Sequence, residues 1–342
     1  EYIVMKKKIL ITGASGFIGS FLVERALKED LEVWAAVRPQ TNRQYLQDER
    51  IRFIELDLGN SDRLTEQLEA HREQQGVFHY VIHAAGATKC RRSDDFFRVN
   101  ARGTERLAYT LLETGCLQPQ GRFVFISSLS VYGPSRESDM RPITEDSHKV
   151  PDTAYGKSKL QAECALADVP DLNYIFLRPT GVYGPRERDY FMMAKSISRH
   201  VDFAVGFKPQ VLTFIYVEDL VEAAFLALRH GRTGRAYFLT DGKSYTSRAF
   251  SDLLQLELGV RGVLHITAPL WVLRQVCRVA AWIAERRGTV PTLNPDKYRI
   301  MSQRNWQCDI TPARKELGYT PKWPLVRGVK ATVAWYKEAG WL

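Results

Sequence analysis

Tyr155 and Lys159, in the stretch Tyr155-Gly156-Lys157-Ser158-Lys159, are the pair in this chain best suited to acid–base work at a carbon–oxygen bond. On a helix, a spacing of four puts both side chains on one face. A phenol, with an ordinary pKa of about 10, is too weak an acid to exchange its proton readily at neutral pH, and a nearby ammonium lowers that pKa. The spacing alone is weak, because a chain with this many tyrosines yields about one such pattern by accident. Tyr2 and Lys6 form one of these. What distinguishes Tyr155 is an upstream turn, Thr12-Gly13-Ala14-Ser15-Gly16-Phe17-Ile18-Gly19. Glycines there let the backbone turn sharply and approach a pyrophosphate, whose charge a following helix N-terminus stabilises. A dinucleotide site together with a tyrosine–lysine pair implies redox chemistry at an alcohol or carbonyl.

Such a pair must be held by regular elements. Ile9-Leu10-Ile11 reads as a buried strand, and an amphipathic stretch runs from Phe17 to Leu27 after the glycine turn. Further strands are predicted over Glu32–Val37, Arg52–Leu56, Tyr80–Ile82, Arg122–Ile126 and Asn173–Leu177. Short apolar strands alternating with helices predict an α/β fold, a doubly wound parallel sheet covered on both faces. After Pro179 the pattern loosens into helical and irregular stretches, with Arg235–Leu239 expected to return to the sheet. The expected division is a dinucleotide-binding domain over 1–180 plus about 211–240, and a smaller, mostly helical substrate lobe over about 181–210 plus 241–342.

The dinucleotide is chosen at the end of the second strand. A carboxylate there would accept from a ribose 2′-hydroxyl and repel a 2′-phosphate. This chain has Val37-Arg38-Pro39 instead. Arg38 can pair with a 2′-phosphate and stack on adenine, with Arg43 close enough to help, so NADP is expected over NAD. The alternative is that Arg38 only stacks on the adenine of NAD.

In these motifs the chain resembles the extended short-chain dehydrogenase/reductase family, of the NAD-dependent epimerase/dehydratase type. The matching residues are Thr12–Gly19, Asp57-Leu58, His83-Ala84-Ala85-Gly86, Val99-Asn100 with Gly103-Thr104, and Ser127-Ser128-Leu129-Ser130-Val131-Tyr132-Gly133. They continue through Tyr155…Lys159, Leu177-Arg178-Pro179, Val182-Tyr183-Gly184-Pro185 and Tyr216-Val217-Glu218-Asp219. The resemblance implies a Rossmann fold and a catalytic set of Ser128, Tyr155 and Lys159. In it Ser128 hydrogen-bonds the reacting oxygen and Lys159 also holds the nicotinamide ribose; Ser127 is the alternative hydroxyl nearer the strand. Cofactor contacts are implied for Gly13, Ser15, Gly16, Phe17, Ile18 and Gly19, with Asp57 and Leu58 framing the adenine. Ala84, Ala85 and Gly86 would line the adenosine side. Arg38, Asn100, Ser127, Tyr155, Lys159, Pro179, Thr180 and Val182 complete the implied set.

Two features of relatives that act on nucleotide-diphosphate sugars are missing. They usually carry asparagine where this chain has Gly181, and often a diphosphate-binding arginine where it has Leu212. The 4,6-dehydratase group places Asp-Glu after its catalytic hydroxyl residue, whereas Leu129 and Ser130 follow here. Pro269-Leu270-Trp271-Val272-Leu273 instead opens an apolar amphipathic helix through Val276, Val279 and Trp282-Ile283. Arg274, Arg278 and Glu285 share one face of it, with Arg286 and Arg287 beyond. This segment resembles the steroid-dehydrogenase-like and dihydroflavonol-reductase-like branches. Core packing of the small lobe is its first reading, a hydrophobic roof over the substrate the second, and a basic membrane-surface helix the third.

The 342 residues are 45% hydrophobic, enough for one large domain or two modest ones. The net charge of +9 reads as a solvated basic surface, without a Lys/Arg block of the kind that binds nucleic acid. Five scattered cysteines with no Cys-x-x-Cys argue against a disulfide framework or a zinc site, so no metal is expected and a cytoplasmic, reducing location is. The apolar run after Met5-Lys6-Lys7-Lys8 is too short for a signal peptide, and no apolar run reaches membrane-spanning length. A homodimer acting on a small molecule is expected. The leading function is an NADP-dependent oxidoreductase on a hydrophobic or non-nucleotide ketone or alcohol. A nucleotide-sugar epimerase and a redox-sensing NADP-binding regulatory protein are its rivals.

Overall fold

A computed structural model describes residues 6–291 and 293–342, so Tyr2 and Met5 fall outside it. Alternation of strand and helix builds the first half: β1 (Lys8–Thr12), α1 (Phe17–Lys28), β2 (Glu32–Val37), β3 (Arg52–Glu55), α2 (Ser61–Gln75) and β4 (Phe78–His83). A short helix α3 (Ser93–Phe96) leads through a π-helical turn, Phe97–Arg102, into α4 (Gly103–Glu113). Then come β5 (Leu117–Ile126), α5 (Ala154–Ala167) and β6 (Asn173–Pro179). Beyond Pro179 the chain forms β7 (Gly181–Tyr183), α6 (Asp189–Ser198), β8 (Val201–Val205), β9 (Val211–Leu212), β10 (Phe214–Tyr216), α7 (Val217–His230) and β11 (Arg235–Leu239). It ends with β12 (Tyr245–Thr246), α8 (Ala249–Leu258), β13 (Leu264–Ala268), α9 (Leu270–Arg287), α10 (Pro295–Ser302) and α11 (Leu325–Glu338).

Seven strands pair in the order β11-β6-β5-β4-β1-β2-β3, parallel throughout. This is the expected doubly wound sheet. The central strands carry unbroken apolar stretches, such as Ile9–Ile11 and Phe123–Ile126, because both faces are covered there. Ile9, Ile11, Val33 and Ala35 pack on the side of α1 and α7, while Leu10, Trp34, Val81 and Phe123 pack on the side of α2 and α4. The strand order reverses between β1 and β4, and ligands of such sheets bind outside the strand carboxyl ends at that point.

After Pro179 the structure holds more strand than the sequence reading expected. β7 pairs with β10, β9 with β12 and β8 with β13, each as a two-stranded ribbon. Runs this short carry too few alternations to register as strands in isolation. A separate core of Tyr183, Phe214, Phe250, Leu325, Val329 and Tyr336 holds this part together.

α9 departs from its first reading. Of its side chains Leu273, Cys277 and Ala284 are buried, while Trp271, Val276, Val279, Trp282 and Ile283 are exposed. Core packing takes only one of its two apolar stripes.

Candidate active site

The glycine turn sits where β1 ends beside β4. Gly13 has φ +67°, and a Cβ there would lie 2.7 Å from the Ala85 nitrogen and 2.8 Å from the Ala84 carbonyl. A Cβ on Gly19 would come within 2.0 Å of the Gly13 oxygen. Only glycine allows α1 to begin this close to the turn. The α1 N-cap is Gly16, which offers no side-chain cap, and the first turn carries no acidic residue. Its opening N–H groups therefore face the crevice with a partial positive charge. Ser15, Phe17 and Ile18 sit half-buried at this opening. The cradle fits the pyrophosphate of a dinucleotide.

A buried chain of hydrogen bonds ties the turn to the next strand end. Burial, helped by the Lys159 charge, pushes the pKa of His83 down to about 3, so its imidazole is neutral. The Ala85 N–H donates to Thr12 Oγ1 at 3.2 Å, and Thr12 Oγ1 lies 2.7 Å from His83 Nδ1. His83 Nε2 lies 2.8 Å from Thr104 Oγ1, which donates to the Asn100 carbonyl at 2.7 Å. One tautomer satisfies every member: Nε2–H donates to Thr104 and Nδ1 accepts from Thr12. Asn100, on the π-helical turn, accepts from the Ala87 N–H at 2.7 Å and donates to Ser158 Oγ at 3.0 Å. A Cβ on Gly86 would lie 3.2 Å from both Asn100 Oδ1 and Lys159 Nζ. The Gly86 position thus opens directly onto the lysine.

α5 positions the acid–base pair. Thr153 caps it, its side chain accepting from the Gly156 N–H at 2.9 Å. Asp296 of α10 accepts from the Tyr155 N–H at 3.2 Å, tying the start of α5 to the C-terminal part of the chain. Burial raises the Tyr155 pKa above the ordinary phenol value, and a hydrogen bond with the Ser128 side chain partly offsets this. Lys159 Nζ donates to the Ile126 carbonyl at 2.8 Å and lies 4.5 Å from the centroid of the Phe125 ring. Burial lowers its pKa to about 8. The expected lowering of the tyrosine pKa by this ammonium is absent here, because a lysine with a pKa of about 8 has lost its charge before the phenol titrates.

The two serines are separated by their partners. Ser127 Oγ donates to Glu163 Oε1 at 2.6 Å, beneath the strand end. Ser128 is half-buried, accepts from the Ser130 N–H at 3.1 Å and meets Tyr155. Glu163, one turn beyond Lys159, also takes two bonds from Arg178, at 2.9 and 2.6 Å. Arg178 in turn donates to Tyr132 Oη at 3.1 Å. This buried pair joins α5, β5 and β6 beneath the site. Sequence reasoning quoted Arg178 and His83 only as motif members and passed over Glu163 and Asp296. Glu163 continues the Tyr155, Lys159 spacing by four, a signal that was present; Asp296 had none.

The adenosine end is more open. Arg38 is exposed just past β2. Arg43 stacks on Phe53, 4.2 Å from its ring centroid, which occupies the guanidinium expected to help Arg38. Asp57 accepts from the Gly59 N–H at 3.0 Å, and Leu58 follows it, half-buried, beside Gly103. Pro179 closes β6 at the sheet's carboxyl edge. Thr180 donates to the Thr213 carbonyl at 3.0 Å, and Val182 pairs with Ile215.

On the substrate side, a Cβ at Gly181 would lie 2.5 Å from Tyr190 Oη. Tyr190 is held against Phe250, with ring centroids 4.5 Å apart. Leu212 pairs with Tyr245 and packs on the second lobe's core. Both positions are therefore packed against aromatic side chains.

The sequence pattern of the NAD dependent epimerase/dehydratase family matches residues 9–239. The chain is 27% identical to the UDP-glucose 4-epimerase of Vibrio cholerae, over 98% of this chain and 97% of that one. It is 24% identical to the decarboxylating sterol-4-alpha-carboxylate 3-dehydrogenase of Saccharomyces cerevisiae, over 96% and 98%. In fold it is similar to the crystal structure of dTDP-glucose 4,6-dehydratase from Bacillus anthracis in complex with NAD. That likeness has a TM-score of 0.75 at 20% identity and covers 97% of each chain.

Proposed function

The chain belongs to the NAD dependent epimerase/dehydratase family, whose enzymes are NAD(P)-dependent extended short-chain dehydrogenases/reductases, and we propose that this one interconverts a ketone and a secondary alcohol on a hydrophobic, non-nucleotide substrate. The observation that carries the reading is the Ser128 side chain meeting Tyr155, with Lys159 one turn on. The bound nicotinamide supplies hydride chemistry at carbon. In reduction, the Tyr155 hydroxyl gives its proton to the substrate oxygen while Ser128 donates a hydrogen bond to the same atom. Lys159 supports the developing phenolate by its charge once it turns from the Ile126 carbonyl. Asn100 and the neutral His83 hold the Gly86 segment beside it.

NADP is the proposed dinucleotide, because β2 ends in Arg38 and not in a carboxylate. The apolar substrate class rests on Gly181 and Leu212, neither of which supplies a side-chain donor for a diphosphate. The yeast relative, named for a sterol carboxylate, agrees with that class. The Vibrio relative favours the second reading, a nucleotide-sugar epimerase, which needs diphosphate contacts from other residues.

The test is a screen of ring ketones for NADPH oxidation by the purified protein. Tyr155→Phe is expected to lower turnover on the order of 10²–10⁴-fold with cofactor binding intact. Arg38→Ala is expected to weaken NADP binding and leave NAD binding nearly unchanged. Full turnover by Tyr155→Phe would refute the mechanism, and unchanged NADP affinity in Arg38→Ala would refute the cofactor assignment.

A further inference from the structure

α9 carries two apolar stripes. Leu273, Cys277 and Ala284 turn inward. Val272, Val276, Val279 and Ile283, at spacings of four, three and four, form a second stripe that turns outward. Val276 is 45%, Val279 55% and Ile283 38% exposed. Trp271 and Trp282, at 70% and 53%, widen it. A helix apolar on two sides is ordinarily buried on both, and an exposed apolar patch of this kind marks an interaction surface.

The charges around the patch select its occupant. α9 carries Arg274, Arg278, Arg286 and Arg287 against Glu285 alone. The helix dipole accounts for the last two arginines, at the C-terminal turn, but not for Arg274 and Arg278. Arg286 lies 4.0 Å from the centroid of the Trp282 ring. Arg91 reaches the same helix end, its Nη1 lying 3.7 Å from where a Cβ on Gly288 would stand. The paired strands β8 and β13 add Phe203 opposite Ile266, 61% and 38% exposed, and β13 runs through Pro269 straight into α9.

We propose that the outward face of α9 docks the protein on an anionic phospholipid bilayer, the helix lying in the plane of the interface. Tryptophan at headgroup depth, aliphatic residues below it and arginines reaching back to lipid phosphates are what such a surface binds. No described helix is long and apolar enough to cross a membrane, so the contact is one-sided. α10 packs on α9, and its Asp296 holds the start of the catalytic helix, so the docked face lies one short helix from Tyr155. The inference stands whichever alcohol or ketone the enzyme turns over.

The full chain is mixed with phosphatidylcholine vesicles with and without phosphatidylglycerol and separated by flotation. Binding to the anionic vesicles alone is expected, weakened by salt and accompanied by a blue shift of tryptophan emission. Trp271→Ala with Trp282→Ala should lower binding on the order of tenfold or more, and so should Arg286→Gln with Arg287→Gln. The melting temperature should stay unchanged in both, because these side chains are exposed. Absence of binding to either vesicle, or binding untouched by both pairs of substitutions, would overturn the proposal. So would concentration-dependent self-association lost in Trp282→Arg without vesicle binding, which would make the face a contact between copies.

Discussion

Lys159 carries two demands that conflict. It is buried, and its pKa falls from 10.5 to about 8, yet its charge is the part useful to Tyr155. The unfolded chain then binds more protons than the folded one between those two values, so stability rises with pH across that window. Below about 8 the penalty of burying the ammonium is fully present. Lys159→Met is therefore expected to stabilise the protein near neutral pH by roughly 1–3 kcal/mol, after loss of the bond to Ile126. The gain should fade toward alkaline pH, and turnover should be lost. Urea unfolding at neutral and alkaline pH measures this; a variant less stable than wild type at neutral pH would mean that the ammonium is net stabilising.

The ribbon of β7 and β10 gives Gly181 its meaning. Its missing side chain is required by Tyr190 from α6, which is wedged among Tyr183, Phe214 and Phe250. Gly181→Asn, which restores the residue usual in nucleotide-sugar relatives, is expected to cost roughly 1–3 kcal/mol through overpacking. Tyr190→Phe removes the atom that a Cβ would meet at 2.5 Å, so the double variant should recover part of that cost. Strictly additive costs in equilibrium unfolding would show that Tyr190 is not what excludes a side chain at position 181.

Across the whole molecule, the glycine-turn crevice and the C-terminal part of the chain meet at α5, where Asp296 of α10 accepts from the Tyr155 N–H. A substrate recognised by both parts should stabilise their union. A ligand at about 100-fold its Kd adds ~2.7 kcal/mol to the folded state, a shift of several degrees for a chain of this size. Apolar ring ketones in the presence of NADP are expected to produce such a shift in a thermal melt, and UDP or UDP-sugars much less. Saturable UDP-sugar binding, with hydrogen-exchange protection around Gly181 and Leu212, would favour the epimerase reading instead.

By itself the sequence determined the sheet and the local motifs along its edge. Strand runs such as Glu32–Val37 and the glycines of 13–19 are local signals, since a buried parallel strand is apolar along its length and a phosphate turn needs its glycines adjacent in the chain. The spacing of Tyr155 and Lys159 on α5 was local in the same sense. Only the tertiary structure decided which serine meets the tyrosine, because Glu163 reaches Ser127 across a gap of 36 residues. It also decided the resting place of Lys159 on the Ile126 carbonyl and the closure by Asp296 from 141 residues away. The outward face of α9 was undecidable from sequence for the same reason. Two apolar stripes on one helix look equally fit for burial, and only packing shows which of them the rest of the chain covers.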